Sequence, residues 1–250
     1  MSGIENKVIL ITGGGSGIGL AAALAFAREG AKVLITGRRA AALDEITAAN
    51  PTIEGFVADA ADPASAGAAV EHAVKLWGRL DVVVNNVGDG GVGPMELVDA
   101  ERIAAIFKVN VVYPSMVCAA ALPHLAASEG LIVNMSSTYG SKAGAPLSYY
   151  AASKAAVEHL TRCWALEFAP KKIRVNAIAS GPVETTFMQK QMGLPDDVIE
   201  AIKEHERGTI PLGRRGVPAD VGEWIVTLAR PELGWITGQI IAVDGGLQIT

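Results

Sequence analysis

Cysteine is scarce in this chain, and its placement excludes two kinds of protein. Cys118 and Cys163 lie far apart and form no C-x-x-C pair, so neither a disulfide framework nor a cysteine-based zinc site is encoded. The four histidines, His72, His124, His159 and His205, fall in no H-E-x-x-H pattern, and no metal site is expected. Basic charge is not in excess either. Lys and Arg number 21 against 26 Asp and Glu, a net charge of −5, so nucleic acid has no electrostatic footprint to bind. Long apolar runs are missing: the longest, residues 109–125, is interrupted by Asn110, Pro114 and Pro123. No membrane span is expected. The polar start, Met-Ser-Gly-Ile-Glu-Asn-Lys, carries no basic leader, and the expected location is the cytoplasm. Aromatics make up only 5% of the residues.

What is present is aliphatic side chain and glycine. Half of the 250 residues are hydrophobic and 28 are Gly, with a mean hydropathy of +0.32. That is ample for a sizeable core and excludes intrinsic disorder. Short β-branched runs alternate with Ala-rich segments of helical spacing. Strands are expected at 8–12, 32–36, 53–57, 81–85, 131–135, 174–178 and 239–243. Helices are expected at 18–29, 40–49, 63–77, 101–127 with a Pro-marked break, 150–168 and 218–228. Neither a linker nor an internal repeat divides the chain, so one domain over 1–250 is expected. The alternation predicts a doubly wound α/β fold with a mainly parallel sheet. Residues 183–216, with one helical patch at 196–206, form a connection long enough to be a substrate lid.

The first strand runs into Thr12-Gly13-Gly14-Gly15-Ser16-Gly17-Ile18-Gly19 and then a helix. Glycines there let the backbone approach a pyrophosphate and present helix N-terminal N–H groups to it. The spacing is G-x-x-x-G-x-G, so its position between strand and helix carries more weight than the motif. Later strands end in Asp59-Ala60, in Asn85-Asn86-Val87-Gly88 and in Ser136-Ser137. All fall where an open α/β sheet binds its ligands. Asp59 can accept from an adenine amino group or simply be a solvated loop residue. Tyr150 and Lys154, spaced i, i+4, share one helix face. A phenol is a poor acid–base group at neutral pH unless a cation stabilises its anion. Lys154 is spaced to supply that cation, and Ser137 to hold a substrate oxygen beside the phenol.

Together these residues resemble the short-chain dehydrogenase/reductase family over essentially the whole chain. Thr12-Gly-x-x-x-Gly17-x-Gly19, Asn85-Asn86-x-Gly88, Asn110, Ser137 and Tyr150-x-x-x-Lys154 fall in the family's order and spacing. So do Asn176, Gly181 and the run 235–246 ending in Asp-Gly-Gly. The resemblance implies a seven-stranded parallel sheet in a Rossmann fold, a nicotinamide cofactor, a small carbonyl or alcohol substrate, and a homotetramer, with a homodimer as alternative. It implies catalytic roles for Tyr150 as general acid or base and for Lys154 as the group that lowers the phenol pKa and binds the nicotinamide ribose. Ser137 would orient the substrate, and Asn110 would hold a helix distortion and a water. Tyr149 lacks a lysine four residues on, and Ser136 stands at the wrong distance. Cofactor contacts are implied for Gly13, Gly15, Ser16, Gly17, Ile18 and Gly19 in the turn, and for Arg38, Arg39, Asp59 and Ala60 on the adenosine side. Asn86, Gly88, Tyr150, Lys154, Gly181 and Val183 would serve the nicotinamide side.

Two departures matter. Ser180-Gly181 stands where the family commonly has Pro-Gly, which would loosen the backbone beside the nicotinamide, and Val87 replaces a frequent Ala. Gly37 ends the second strand where NAD-preferring members tend to carry Asp, and Arg38 follows. NADP(H) is therefore favoured and NAD(H) remains possible: a guanidinium clamps a 2′-phosphate, with Thr36 adding a hydroxyl, or lies over the adenine in either cofactor. Ser16 stands where some NADP-dependent relatives have a second basic residue. Pocket walls are expected at 88–95, 138–147 and 183–210, with Phe187, Met188, Met192 and Leu194 as the apolar inner face. Two other readings stand beside an oxidoreductase of small molecules. One is an acyl-carrier-protein reductase docking through Lys171-Lys172 and Arg214-Arg215, and the other is a catalytically silent nucleotide sensor.

Overall fold

The computed structural model describes residues 3–250. Seven strands form one parallel sheet in the order β3-β2-β1-β4-β5-β6-β7. They are β1 Val8–Ile11, β2 Lys32–Gly37, β3 Ile53–Val57, β4 Val82–Asn85, β5 Leu131–Ser137, β6 Arg174–Ser180 and β7 Ile240–Val243. The helices are α1 Gly17–Arg28, α2 Ala40–Ala49, α3 Ala64–Trp77, α4 Ala100–Phe107, α5 Tyr113–Ser128, α6 Ser148–Phe168, α7 Phe187–Lys190, α8 Asp196–Thr209 and α9 Pro218–Leu228.

The near-continuous apolar strands are explained by their two buried faces. In β1, Ile9 and Ile11 join one core layer with Phe26 of α1 and Val221 and Ile225 of α9. The intervening Val8 and Leu10 join the other, with Ala69 of α3, Val117 and Leu125 of α5 and Phe168 of α6. Strand β2 divides likewise, Val33 and Ile35 to the first layer and Leu34 to the second. Period-two side-chain alternation sends successive residues to opposite layers, and each fully buried Val, Leu or Ile contributes roughly 1.5–3 kcal/mol. Asp81 pins the start of β1: its Oδ2 accepts from Val8 N at 2.9 Å, and Arg79 pairs with both carboxylate oxygens.

Two boundaries differ from the sequence reading in ways that bear on function. Strands β5 and β6 run on to pair Ser137 with Ser180, carrying both serines to the sheet edge. The break in the 101–127 segment is not made by proline. Pro114 follows closely on a turn of different pitch, and Pro123 lies inside α5 without ending it. The break is a π-helical turn, Lys108–Val112, centred on Asn110. The stretch from Ala100 to Ser128 is long and apolar enough to cross a membrane by composition. Its residues Tyr113, Val117, Cys118, Ala121 and Leu125 are instead buried against the sheet, as in a core helix.

Candidate active site

The order of strands reverses between β1 and β4, and this opens a crevice at their C-terminal ends. The glycine turn fills the β1 side. Gly14 N donates to Thr36 O at 3.0 Å, and Gly17 has φ +56°, a conformation that L side chains rarely adopt. Ser16 caps α1 without using its hydroxyl, so that hydroxyl and the first N–H groups of the helix are open to an anion.

A cleft of about 1170 Å³ runs along these strand ends. Its glycine side comprises Gly13, Gly15, Ser16, Gly17 and Ile18, and its adenosine side Gly37, Arg38, Arg39, Asp59 and Ala60. At the other end stand Asn86, Gly88, Ser137, Tyr150, Lys154, Gly181 and Val183. The structure thus brings together all but two of the site residues expected from sequence. Gly19 does not line the cleft. A Cβ there would stand 2.5 Å from Asn86 Nδ2 and 2.6 Å from Gly13 O, so its role is close packing behind the turn. Gly19→Ala is expected to destabilise the fold by about 1–3 kcal/mol and to weaken dinucleotide binding, as read by urea melts and fluorescence titration.

Asn110 is the second exception. Its Oδ1 accepts from Asp89 N at 2.8 Å, and its Nδ2 donates to Asp89 O and Ser153 Oγ at 2.8 and 2.9 Å. The π turn lets one side chain hold both the β4–α4 loop and α6. Behind it lies a cavity of about 10 Å³ shared with Asn85, Asn134 and Lys154, where the buried Asn85 Oδ1 has no protein donor. That is close to the space one water needs. Asn86 lines the cleft, but its side chain is occupied, donating to Thr12 O and Gly13 O at 2.9 and 3.1 Å.

Tyr150 and Lys154 come from one face of α6. Lys154 is only 5% exposed; its Nζ donates to Met135 O at 2.9 Å and lies 5.8 Å from the Tyr150 ring centre. Burial pushes the ammonium down to about 8. Burial also raises the phenol above its ordinary value, against a hydrogen bond from Ser137 that lowers it. In this geometry desolvation outweighs the stabilisation that the sequence reading assigned to Lys154. Ser136 is turned away, its Oγ donating to Glu158 at 2.9 Å, and the Tyr149 hydroxyl is directed at Met95. From the lid side, the Phe187 ring lies 6.0 Å from the Tyr150 ring.

On the adenosine side, Arg38 and Arg39 are exposed, and no ion pair engages either among the described residues. Thr36 also lines the cleft; its side chain is buried and hydrogen-bonded to Tyr113.

A family model described as enoyl-(acyl-carrier-protein) reductase matches residues 13–248. The chain belongs to the short-chain dehydrogenase/reductase family. It is 38% identical to the 3-oxoacyl-(acyl-carrier-protein) reductase FabG of Thermotoga maritima over 98% of this chain and 99% of that one. It is 36% identical to 2-(S)-hydroxypropyl-CoM dehydrogenase 3 of Xanthobacter autotrophicus, over 98% of this chain and 97% of the relative. A crystal structure of the 3-ketoacyl-(acyl-carrier-protein) reductase of Brucella melitensis complexed with NADH superimposes with a TM-score of 0.91 at 33% identity, covering 98% and 99% of the two chains. The protein is therefore an NAD(P)-dependent oxidoreductase with the family's seven-stranded Rossmann fold.

Tyr113, Arg102 and Arg215 of this short-chain dehydrogenase/reductase cleft lay outside the walls expected from sequence, whereas Asp89, Thr185 and Glu206, which also line it, fall within the expected 88–95 and 183–210. Arg102 chelates Asp89 and reaches Gly90 O and, at 3.3 Å, Gln191 O, linking the β4–α4 loop to the lid segment. Charge alone marks none of them, because paired charges on a surface look the same in sequence. Thr185, whose Cγ2 would lie 3.2 Å from a Cβ at Gly17, belongs to the expected wall 183–210.

Proposed function

We propose that this enzyme reduces a carbonyl compound, or oxidises the matching alcohol, with NADP(H) favoured and NAD(H) the alternative cofactor. The reading is carried by one cleft that joins Ser137, Tyr150 and Lys154 to two guanidinium groups without an ion pair among the described residues, with Gly37 in place of a carboxylate at the end of β2. The residues fit a dinucleotide: open helix N–H groups for the pyrophosphate and the free Ser16 hydroxyl beside them. Bound there, the nicotinamide supplies or accepts the hydride. The chain's own groups do the rest. Ser137 holds the substrate oxygen, and Tyr150, a phenol protonated at neutral pH and held more firmly so by burial, donates the proton. Lys154 keeps most of its charge at pH 7 with a pKa of about 8 and stabilises the phenolate formed. Asn110 holds the π turn and one wall of the small cavity through which a water can return the proton.

The segment 183–216 acts as the lid, with Phe187 and Met192 packed toward Gly90. A homotetramer in the cytoplasm completes the reading. Cofactor choice is tested by kcat/KM with NADPH and NADH. Gly37→Asp is expected to reverse the preference, since a carboxylate accepts from the free 2′-hydroxyl and repels a 2′-phosphate. A native preference for NADH, unweakened by Arg38→Ala, would overturn the NADP(H) assignment.

A second reading, reduction of an acyl thioester carried on a protein, is favoured by the name of the Thermotoga relative. Of the basic pairs considered for docking, Lys172 is paired with Glu129, Arg214 with Asp220, and Arg215 is buried, while Lys171 is exposed. Turnover of a 3-oxoacyl thioester against a panel of free ketones and aldehydes separates the two. Dinucleotide binding with no turnover of either class would favour the silent sensor.

A further inference from the structure

Ser180 lacks the ring that a proline would bring to the turn after β6, yet that turn is fastened from its far side. Val183 bridges in parallel with Gly216. Gly216 N donates to Pro182 O at 2.9 Å, and Glu184 N to Gly216 O at 2.8 Å. The neighbouring Arg215 adds a side-chain tie, Nη2 donating to Val183 O at 2.8 Å.

The rest of that guanidinium faces two carboxylates. Arg215 Nε lies 2.9 Å from Glu184 Oε1, and Nη1 pairs with Glu206 of α8. The Arg215 side chain is 4% exposed and that of Glu206 15%. Lys203, also on α8, reaches Glu184 at 3.5 Å and Glu200 at 2.9 Å, so two cations face three carboxylates. One buried fork thus joins the turn after β6 to the lid helix, and Val183, Glu206 and Arg215 border the same cleft. Its neighbour Arg214 is exposed and pairs with Asp220 in the first turn of α9, an ordinary helix-end contact. A buried ion cluster is a weak source of stability, since apolar residues of similar size often do as well. What it supplies that they cannot is a charged link between segments: Nη2 donates a directed bond to Val183 O, while Nε and Nη1 meet the Glu184 and Glu206 carboxylates as ion pairs without hydrogen-bond geometry.

We propose that Arg215 is a positioning residue that couples the backbone of Val183 to helix α8. Seating of the nicotinamide half of the cofactor and closure of α8 then become one event. The proposal rests on the reading above that Gly181 and Val183 receive the nicotinamide half.

The test uses the full chain and two probes: the intact dinucleotide, as NADPH and as NADH, and the matching fragment without nicotinamide, 2′-phospho-ADP-ribose or ADP-ribose. In Arg215→Met, fragment affinity is expected to stay within about twofold of native, while dinucleotide affinity falls about tenfold. Hydrogen exchange supplies the second readout. In the native protein the dinucleotide should protect residues 196–209 and the fragment should not, and Arg215→Met should abolish that protection. Equal loss of both ligands, loss of neither, or native protection by the fragment alone would overturn the coupling. Should Arg215→Met fail to fold, Glu206→Gln cuts the arm from Arg215 to α8 and, with Lys203→Met beside it, the second contact of α8 with Glu184. Protection of 196–209 must then disappear while dinucleotide affinity drops less than about threefold, and retained protection overturns the proposal. If the native protein bound the dinucleotide no more tightly than the fragment, the reading of the nicotinamide seat would itself fail, and the coupling with it. That failure appears before any variant is made.

Discussion

Tyr150→Phe is expected to lower turnover by roughly 10²–10⁴-fold while leaving dinucleotide affinity within about twofold of native. The ring contact with Phe187, at 6.0 Å between centres, survives the substitution, so the cleft keeps its shape. Only the transferable proton and the hydrogen bond with Ser137 are lost. Burial holds the phenol above its ordinary pKa, which favours proton donation and hence reduction near neutral pH. Oxidation needs the phenolate, so its rate in the native enzyme should climb as pH rises, and Tyr150→Phe should flatten that climb. Single-turnover kinetics in both directions, beside a fluorescence titration of the dinucleotide, measure all of this. A folded Tyr150→Phe enzyme retaining more than about a tenth of native turnover would remove Tyr150 from the proton step.

Lys154→Met should move stability and activity in opposite directions. The ammonium is buried, and its pKa falls from 10.5 in the unfolded chain to about 8, so at neutral pH the fold carries a charge that water would hold better. Converting the shift at about 1.4 kcal/mol per pH unit, less roughly 1 kcal/mol for the lost bond to Met135 O, leaves a gain of about 1–3 kcal/mol for the variant at pH 7. Between pH about 8 and 10.5 the unfolded lysine keeps its proton while the folded one has released it. Native stability therefore rises with pH across that window. The variant lacks the rise, and its margin over the native protein narrows toward pH 10.5. Turnover should meanwhile drop by about 10²-fold or more, because nothing then stabilises the phenolate. Denaturant melts at pH 7 and pH 10 check the first part and steady-state kinetics the second. A variant less stable than native at pH 7 would contradict the burial argument.

Much of this was legible without coordinates because it is local. A strand buried on both faces reads as an apolar run, a helix as a 3.6-residue period, and the two alternate along the chain. The glycine turn is recognisable because its backbone tolerates few other residues, and Tyr150 with Lys154 because four residues make one helical turn. Less legible were features set by partners distant in sequence. The resemblance implied that Asn110 holds a helix distortion, but not how: its amide binds the backbone of Asp89, 21 residues away, and the helix takes in an extra residue there. Thr36 stood beside Arg38 on paper, yet strand alternation turns its hydroxyl inward to Tyr113.

Residue pattern was enough for the doubly wound fold, the end of the sheet that carries the candidate site, and the three side chains that meet there. Which charges act at the cleft and which are spent depends on the folded chain. Arg214 and Arg215 are adjacent and chemically identical, and no local rule distinguishes them. One remains in water beside a helix end. The other is drawn inside because Val183, 32 residues away, and Glu184 and Glu206 converge on it. A buried cation persists only where acceptors surround it. That convergence is a property of the folded chain, where desolvation and pairing are settled together.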